Sequence, residues 1–468
     1  MYRSALASLV LLSSATLVQA KPTGADETEF RALYKQLVEI NTTLSVGSCT
    51  SAAKAMAARL KAAGLADEDL QILAPPERPN DGALIARYPG SDTKAEPILL
   101  LAHLDVVEAR REDWERDPFT LVEENGFFYA RGASDDKAMA AVFTDSLIRY
   151  KSEGFVPRRG ITLALTCGEE TPDTFNSVEW LLQTRPDVLK AAFVINEGAG
   201  GELNARDEPV ALQVQAGEKV YQDFHLEITN PGGHSSRPVK DNAVVQLAGA
   251  IGRIGAYQFP IRLNPVTRAY FQRQAELSDS AVAQDMQAVL RDPPDEPAAQ
   301  RLWARNPGWN GTLRTTCTPT MIDGGHAPNA LPQRAKANVN CRILPGEPVD
   351  AVRAKLVELI ADEKIALSLA GKPGLASSPP PLSREILDPV RTVAHRVWPG
   401  VAIVPTQSTG ATDGRFLNAA GIPTYGISGM FHDAEGSRAH GLNERIRVKS
   451  LLDGRRFLYE LVKIYAMQ

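Results

Sequence analysis

The sequence predicts an α/β fold: a mostly parallel sheet with helices on both faces, interrupted by a smaller inserted α+β unit. Three observations lead there. The runs Ile98 to Ala102, Ile161 to Thr166 and Ala192 to Ile195 are short, continuous and apolar, as strands buried on both faces are. Stretches of helical periodicity separate them, which is the order of a parallel sheet with crossover helices. Beyond Val214 the texture changes, and Tyr221 to Ile228 alternates with Phe224, Leu226 and Ile228 on one face.

The elements follow in order. Met1 to Ala20 carries Arg3, an apolar run from Ala5 to Val18 and the small-x-small site Val18-Gln19-Ala20, the pattern of a secretory signal that leaves Lys21 as the first mature residue. The alternative reading is a short membrane anchor; either way no later stretch approaches the roughly 20 apolar residues of a span. Segments 27–41 and 50–64 have helical spacing, the second closing at Gly64. From Ala83 to Glu197 the order is strand, strand, helix, strand, helix, strand. Residues 214–374 read as strand, helix, strand, strand, helix, strand, a ferredoxin-like layer inserted into the first domain. Tyr257 to Asn310 is expected to elaborate that layer, and Pro373 to Pro381 to form the return crossing. Helices at 384–397 and 449–465, with a short strand from Thr424 to Ile427 between them, complete the first domain. The expected division is therefore a signal at 1–20, one domain from 21–213 and 375–468, and a second at 214–374.

Composition narrows the function classes. A chain of 468 residues exceeds the usual single core, so two domains are the default. A net charge of -5 with no basic stripe excludes a nucleic-acid-binding surface. Four cysteines, Cys49, Cys167, Cys317 and Cys341, suit an oxidising compartment and lack any C-x-x-C pairing. A bridge between Cys317 and Cys341 is compatible with their two strand-like segments, but only the Cα separation decides it.

The chemistry sits at the strand ends. His103-Leu104-Asp105 closes one strand, Asp135-Asp136 opens a helix after Gly132-Ala133-Ser134, Glu169-Glu170 follows another strand, Glu197 closes a third, and His440 lies near the C-terminus. Each has a bland reading: a packed histidine, a helix cap, a solvated loop acid or a turn. Together they put carboxylate and imidazole donors at successive termini of one sheet, on the edge where open sheets bind ligands. Such donors without thiolates suit zinc, cobalt or manganese, and a two-metal site fits better than a single-metal motif. Neighbours on an extended chain point opposite ways, so Glu169 and Glu170 can divide their work, one on a metal and one on a water. Asp105, two residues after His103, can serve as an outer acceptor that orients the His103 ring.

In this order, His103-Leu104-Asp105, Gly132 to Lys137, Glu169-Glu170, Glu197-Gly198 and Ala439-His440-Gly441-Leu442-Asn443-Glu444 resemble the co-catalytic zinc exopeptidase family of aminoacylase, carnosinase, glutamate carboxypeptidase, succinyl-diaminopimelate desuccinylase and carboxypeptidase S. The long insert and the Gly441 to Ile446 ending resemble the carboxypeptidase S branch most. The resemblance implies two divalent ions, Zn2+ with Co2+ or Mn2+ as substitutes, bridged by Asp135. His103 and Glu197 would complete one metal, Glu170 and His440 the other, with Glu169 as general base and Asp105 as the orienting acid. It also implies a cis peptide after Asp135 and a lid/dimerisation role for 214–374, including a homodimer through the lid. His234, in the turn Asn230 to Ser236, would polarise the scissile carbonyl. Asn329 and Arg342 would hold a substrate carboxylate, as a planar guanidinium can. Thr412, in the loop Ser408 to Arg415, would lie at the substrate's end. His225, His395 and His432 match nothing in the family and read as structural.

The implied reaction is hydrolysis of an amide next to a free carboxylate, as in a carboxypeptidase or dipeptidase, by water held between the metals and deprotonated by Glu169. The implied substrate is a small peptide or an N-acyl amino acid. An N-acyl-amino-acid deacylase, an aminopeptidase and a catalytically silent exported peptide-binding protein stand as alternatives.

Overall fold

The computed structural model describes residues 24–171 and 174–468, so the expected signal at 1–20 lies outside the described residues. Ten strands form the large sheet. Across it they run Leu70–Leu73, Ala83–Tyr88, Ile161–Thr166, Ile98–His103, Phe193–Asn196, Thr424–Gly426, Pro209–Glu218, Gly201–Leu203 and Phe431–His432, with Ala402–Ser408 paired to Pro209–Glu218 off this path. Ile98–His103 is parallel to both neighbours, and Thr424–Gly426 to Phe193–Asn196, while antiparallel pairs flank this centre.

The centre is two-sided, as its unbroken apolar runs require. Along Ile98–His103 the side chains of Ile98, Leu100 and Ala102 join one core, with Leu147, Val390 and Leu458 of the helices over it. Leu99 and Leu101 point the other way, into a second core with Val178, Leu181 and Leu417. The N-terminal helices occupy Gly24–Val38 and Cys49–Ala62, the second capped by the Ser48 side chain and followed by Gly64 at φ 95°.

The small sheet is antiparallel, ordered Thr316–Gly324, Arg334–Ile343, Val220–Thr229 and Ala366–Ala370. The helices Ala243–Ala256 and Val349–Ile360 bury Leu247, Ile254 and Leu356 against Phe224, Leu226, Ile228 and Val339. Its first strand, Val220–Thr229, contains the expected Tyr221 to Ile228, but the boundary expected at 214 falls inside the preceding strand. Residues 209–218 belong to the large sheet, where Val214 and Ala216 are buried. Lys219 alone separates the two strands.

The elaboration between Tyr257 and Asn310 also lies elsewhere than expected. It forms four helices, Pro265–Leu277, Ser280–Val289, Glu296–Arg305 and Pro307–Leu313, around Phe271, Met286, Leu302 and Leu313. The first packs Tyr270 onto Ala211, Ala402 and Val404, so the insert covers an outer face of the large sheet instead of extending the small one. That apolar strand face needs a cover, which helical spacing in 257–310 could not reveal.

All four cysteines are bridged. Cys317 and Cys341 are direct cross-strand partners with Cα atoms 4.0 Å apart. Cys49 and Cys167, 118 residues apart in sequence, join the start of a helix to the end of the strand that precedes Glu169. Closing so long a loop restricts the unfolded chain strongly, so replacing both cysteines by alanine should cost about 2–4 kcal/mol. Denaturant unfolding checks this, and an unchanged midpoint contradicts it.

Candidate metal centre and its supports

Strand ends deliver the site. His103 is the last residue of its strand and is buried; its Nδ1 lies 3.0 Å from the Asp105 backbone carbonyl, an arrangement in which Nδ1–H donates and Nε2 presents its lone pair outward. Nε2 stands 3.1 Å from Asp135 Oδ1 and 3.7 Å from a Glu197 carboxylate oxygen. On the other side, His440 Nε2 stands 3.2 Å from Asp135 Oδ2 and 2.9 Å from Glu170 Oε2. The two oxygens of one carboxylate therefore face two different imidazoles, each with a second acid beside it. Glu169 offers an oxygen within 4.8 Å of the donor atoms of His103 and Glu197. The peptide from Asp135 to Asp136 is cis, and the helix begins after it, at Lys137.

The electrostatics describe a surplus of negative charge. Burial opposes charge on His103, yet Glu197, Asp135 and Asp105 hold its imidazole well above the ordinary range. Asp135 and Glu170 raise His440 to about 10. Burial pushes Glu197 up, and Glu169 and Asp135 push it further. Burial also raises Glu169 well above the usual carboxylate range, reinforced by Asp413, Glu170 and Asp105. Asp135, though buried, is held below that range by the two rings. Oxygen and imidazole donors with this much unbalanced charge fit hard or borderline divalent cations, and both half-sites have the donor chemistry to hold one.

Asp105 does something other than expected. Its carboxylate lies 3.7 Å from His103 Nδ1, beyond hydrogen-bond reach, and Oδ2 instead accepts the backbone N–H of Glu170 at 2.9 Å. The ring is oriented by the backbone carbonyl, and the carboxylate orients the glutamate loop.

The remaining candidates lie apart from this cluster or beneath it. His234 is exposed in the turn after Val220–Thr229, where its Nδ1 meets the N–H and hydroxyl of Ser236. Asn329 is exposed, and its carbonyl accepts from the Ser235 N–H in the same turn. Arg342 is partly buried, with its guanidinium 4.5 Å from the Tyr221 ring centroid. Burial lowers its pKa, and Arg415 of the large sheet's domain lowers it further. Thr412 is buried; its N–H donates to Glu218 at 2.6 Å, and its hydroxyl accepts from Asn196 at 3.0 Å. His225 and His395 are exposed and His432 is half-buried, with no ion pair to the cluster.

Two supports have no counterpart in the sequence reading. Buried Asp413 accepts from Thr166 Oγ1 at 3.1 Å and from Asn176 Nδ2 at 2.5 Å, gripping both ends of the loop that bears Glu169 and Glu170. Glu444 accepts four N–H groups around the loop before Asp135. Both sit inside motifs visible in the sequence, but nothing in residue spacing separates a gripping acid from a solvated one.

Residues 99–464 match the family described as Peptidase family M20/M25/M40. The human protein named N-fatty-acyl-amino acid synthase/hydrolase PM20D1 is 30% identical over 385 residues, spanning 80% of this chain and 75% of that protein. Probable carboxypeptidase S-like 2 of Dictyostelium discoideum is 26% identical over 396 residues, spanning 81% of this chain and 74% of its own length. The solved structure of the M20 family metallo-carboxypeptidase Sso-CP2 from Sulfolobus solfataricus shares the fold at a TM-score of 0.71 and 19% identity, covering 94% of this chain and 100% of that one. With a strand-end cluster of acids and imidazoles on that fold, the chain belongs to peptidase family M20/M25/M40 and is a metal-dependent hydrolase.

Proposed function

We propose that the protein hydrolyses an amide whose nitrogen belongs to an amino acid with a free carboxylate, in the manner of a carboxypeptidase or dipeptidase. The observation that carries this reading is the division of Asp135 between His103 and His440, with Glu169 beside the first of them. Two divalent ions, with zinc the first choice and cobalt or manganese as substitutes, would be held by His103, Asp135 and Glu197 and by Asp135, Glu170 and His440. When bound, such a pair polarises a carbonyl and makes water acidic enough to lose a proton near neutral pH.

The chain's own residues do the rest. Glu169 accepts the proton of the attacking water at its carboxylate and returns it to the leaving amine. Asp105 fixes the Glu170 N–H, and Asp413 fixes the loop ends, so the two glutamates keep their separate directions. Arg342 would receive the substrate carboxylate, with Asn329 and His234 brought in by closure of the lid over the cleft and Thr412 at the far end. A homodimer through the lid is supported by the edge strand Thr316–Gly324, which exposes Met321 and Ile322. Export is supported by two disulfides with no free cysteine among the described residues.

A second reading, N-acyl-amino-acid deacylation, is favoured by the names of the relatives at 30% identity. Both reactions leave an amino acid with a free carboxylate, and they differ only in the acyl half.

Two outcomes are expected. Glu169→Gln should lower kcat by at least about 100-fold, the usual weight of a general base, while metal content measured on the same preparation stays at the wild-type level. Turnover that survives, or metal lost from a folded variant, contradicts the role. N-acyl amino acids and N-blocked dipeptides should be cleaved, C-blocked dipeptides should not, and Arg342→Met should raise KM for the former. Preference for the C-blocked substrates points to an aminopeptidase and overturns the reading.

A further inference from the structure

Glu444 touches neither imidazole, yet it lies where the two halves of the centre meet. Its side chain is 1% exposed. Oε1 accepts the backbone N–H groups of Ser134 at 2.8 Å and Asp135 at 3.0 Å. Oε2 accepts from the Gly132 N–H at 3.0 Å and from Arg131 Nη1 at 2.8 Å. Four donors converge and the side chain gives nothing back, which is the bonding of an ionised carboxylate. Gly132 has φ 79°, and a Cβ there would sit 2.7 Å from Val106, so the turn that aims three N–H groups at Glu444 needs a glycine.

The other end of this arrangement is the His440 loop. His440 is 59% exposed at its side chain and has φ 62°, with Arg438 at 57° and Asn443 at 55°. Three non-glycine residues in the left-handed region hold their shape only if their surroundings impose it. Little burial is on offer, since Arg438, Ala439, His440 and Leu442 are all exposed. The side-chain ties from this turn to the Asp135 side centre on one pair, with Arg131 Nη2 donating to the Gly441 carbonyl at 3.0 Å and Glu444 ending the turn; the backbone adds the Ala130 N–H to the Glu444 carbonyl at 3.3 Å and the pairing of Arg445–Arg447 with Phe127–Tyr129. On the opposite flank Arg445 and Arg447 are anchored to Asp433, which fixes where the loop starts and returns but not how far His440 leans toward Asp135.

We propose that Glu444, with Arg131, is a positioning residue that locks the Asp135 turn to the His440 turn, so that retention of the ion on the His440 side depends on a carboxylate that never touches it. This rests on the two-metal reading above. The His103 side shares Asp135 but leans on this lock less, because His103 ends a buried strand and Glu197 directly follows another.

The test is zinc titration of the metal-free full-length chain, followed by calorimetry and metal analysis after dialysis. The wild type should bind two ions. Glu444→Gln keeps the size but turns an amide NH2 toward N–H donors, and should bind the first ion normally and the second about 10–100-fold more weakly, as loss of an outer partner does. Asp145→Asn serves as the structural comparison, because it breaks a buried pair with Arg455 (2.7 Å) that joins Lys137–Ser152 to Val448–Met467 well inside both helices, past the two turns, and should lower stability while leaving both ions in place. Arg131→Lys, which keeps the charge but loses the fork that spans Glu444 and Gly441, should fall between wild type and Glu444→Gln, and it replaces Glu444→Gln if that variant does not fold. Normal binding of both ions by Glu444→Gln (or by Arg131→Lys in its place), equal weakening of both, or the same selective loss in Asp145→Asn overturns the proposal. A wild type that binds fewer than two ions removes the reading beneath it instead.

Discussion

Crowding of like charge is the constraint that organises this molecule. Asp135, Glu169, Glu170 and Glu197 reach one place, with Asp105, Asp136, Asp413 and Glu444 close behind. Two carboxylates about 4 Å apart repel by roughly 4 kcal/mol where the effective dielectric is near 20, so no chain gathers these groups without paying them back locally. Two of the acids behind the cluster are satisfied by directed donors, Asp413 by Thr166 and Asn176 and Glu444 by Arg131 and three backbone N–H groups, while Asp105 accepts the Glu170 N–H at one oxygen and buries the other without a donor. The acids in front face two imidazoles and one another. What remains unbalanced is at the front, and cations are what that balance lacks.

The sheet makes this crowding tenable because it is rigid where the charges are. The strands that end at His103, Thr166 and Asn196 are buried throughout, so their terminal side chains are aimed by two packed cores. The glutamate loop, which leaves the sheet, is tied down separately by Cys167, Asp413 and Asp105. His440 comes from an exposed turn that hydrogen bonds and ion pairs hold, not burial. The centre thus has a stiff half and a hung half, and the residues that look incidental in sequence are those that support the hung one.

Much of this was legible in the chain. Continuous apolar runs marked the buried strands, and acids and histidines placed just past them marked the edge where they converge. The order of those groups also carried the family. Less legible was anything set by distant contacts. The Cys49–Cys167 bridge joins segments whose spacing says nothing about their meeting, whereas Cys317 and Cys341 sat in adjacent strands. The boundary drawn after residue 213 falls inside Pro209–Glu218, because that strand runs on to within one residue of Val220–Thr229 and only pairing assigns each to its sheet. The insert reads as helical patches in its own sequence, but which face it covers depends on Ala402 and Val404, far beyond its last helix in the chain. Asp105 carried the right chemistry and a different partner, the Glu170 N–H, which comes from a separate loop and which no local spacing reveals.

The most direct measurement is anomalous diffraction at the zinc edge from crystals of the full-length protein grown with Zn2+. Two peaks flanking the Asp135 carboxylate are predicted, one toward His103 and Glu197 and one toward Glu170 and His440, with Glu169 bonded to neither. A single peak, peaks elsewhere, or Glu169 ligating in place of Glu170 would contradict the account.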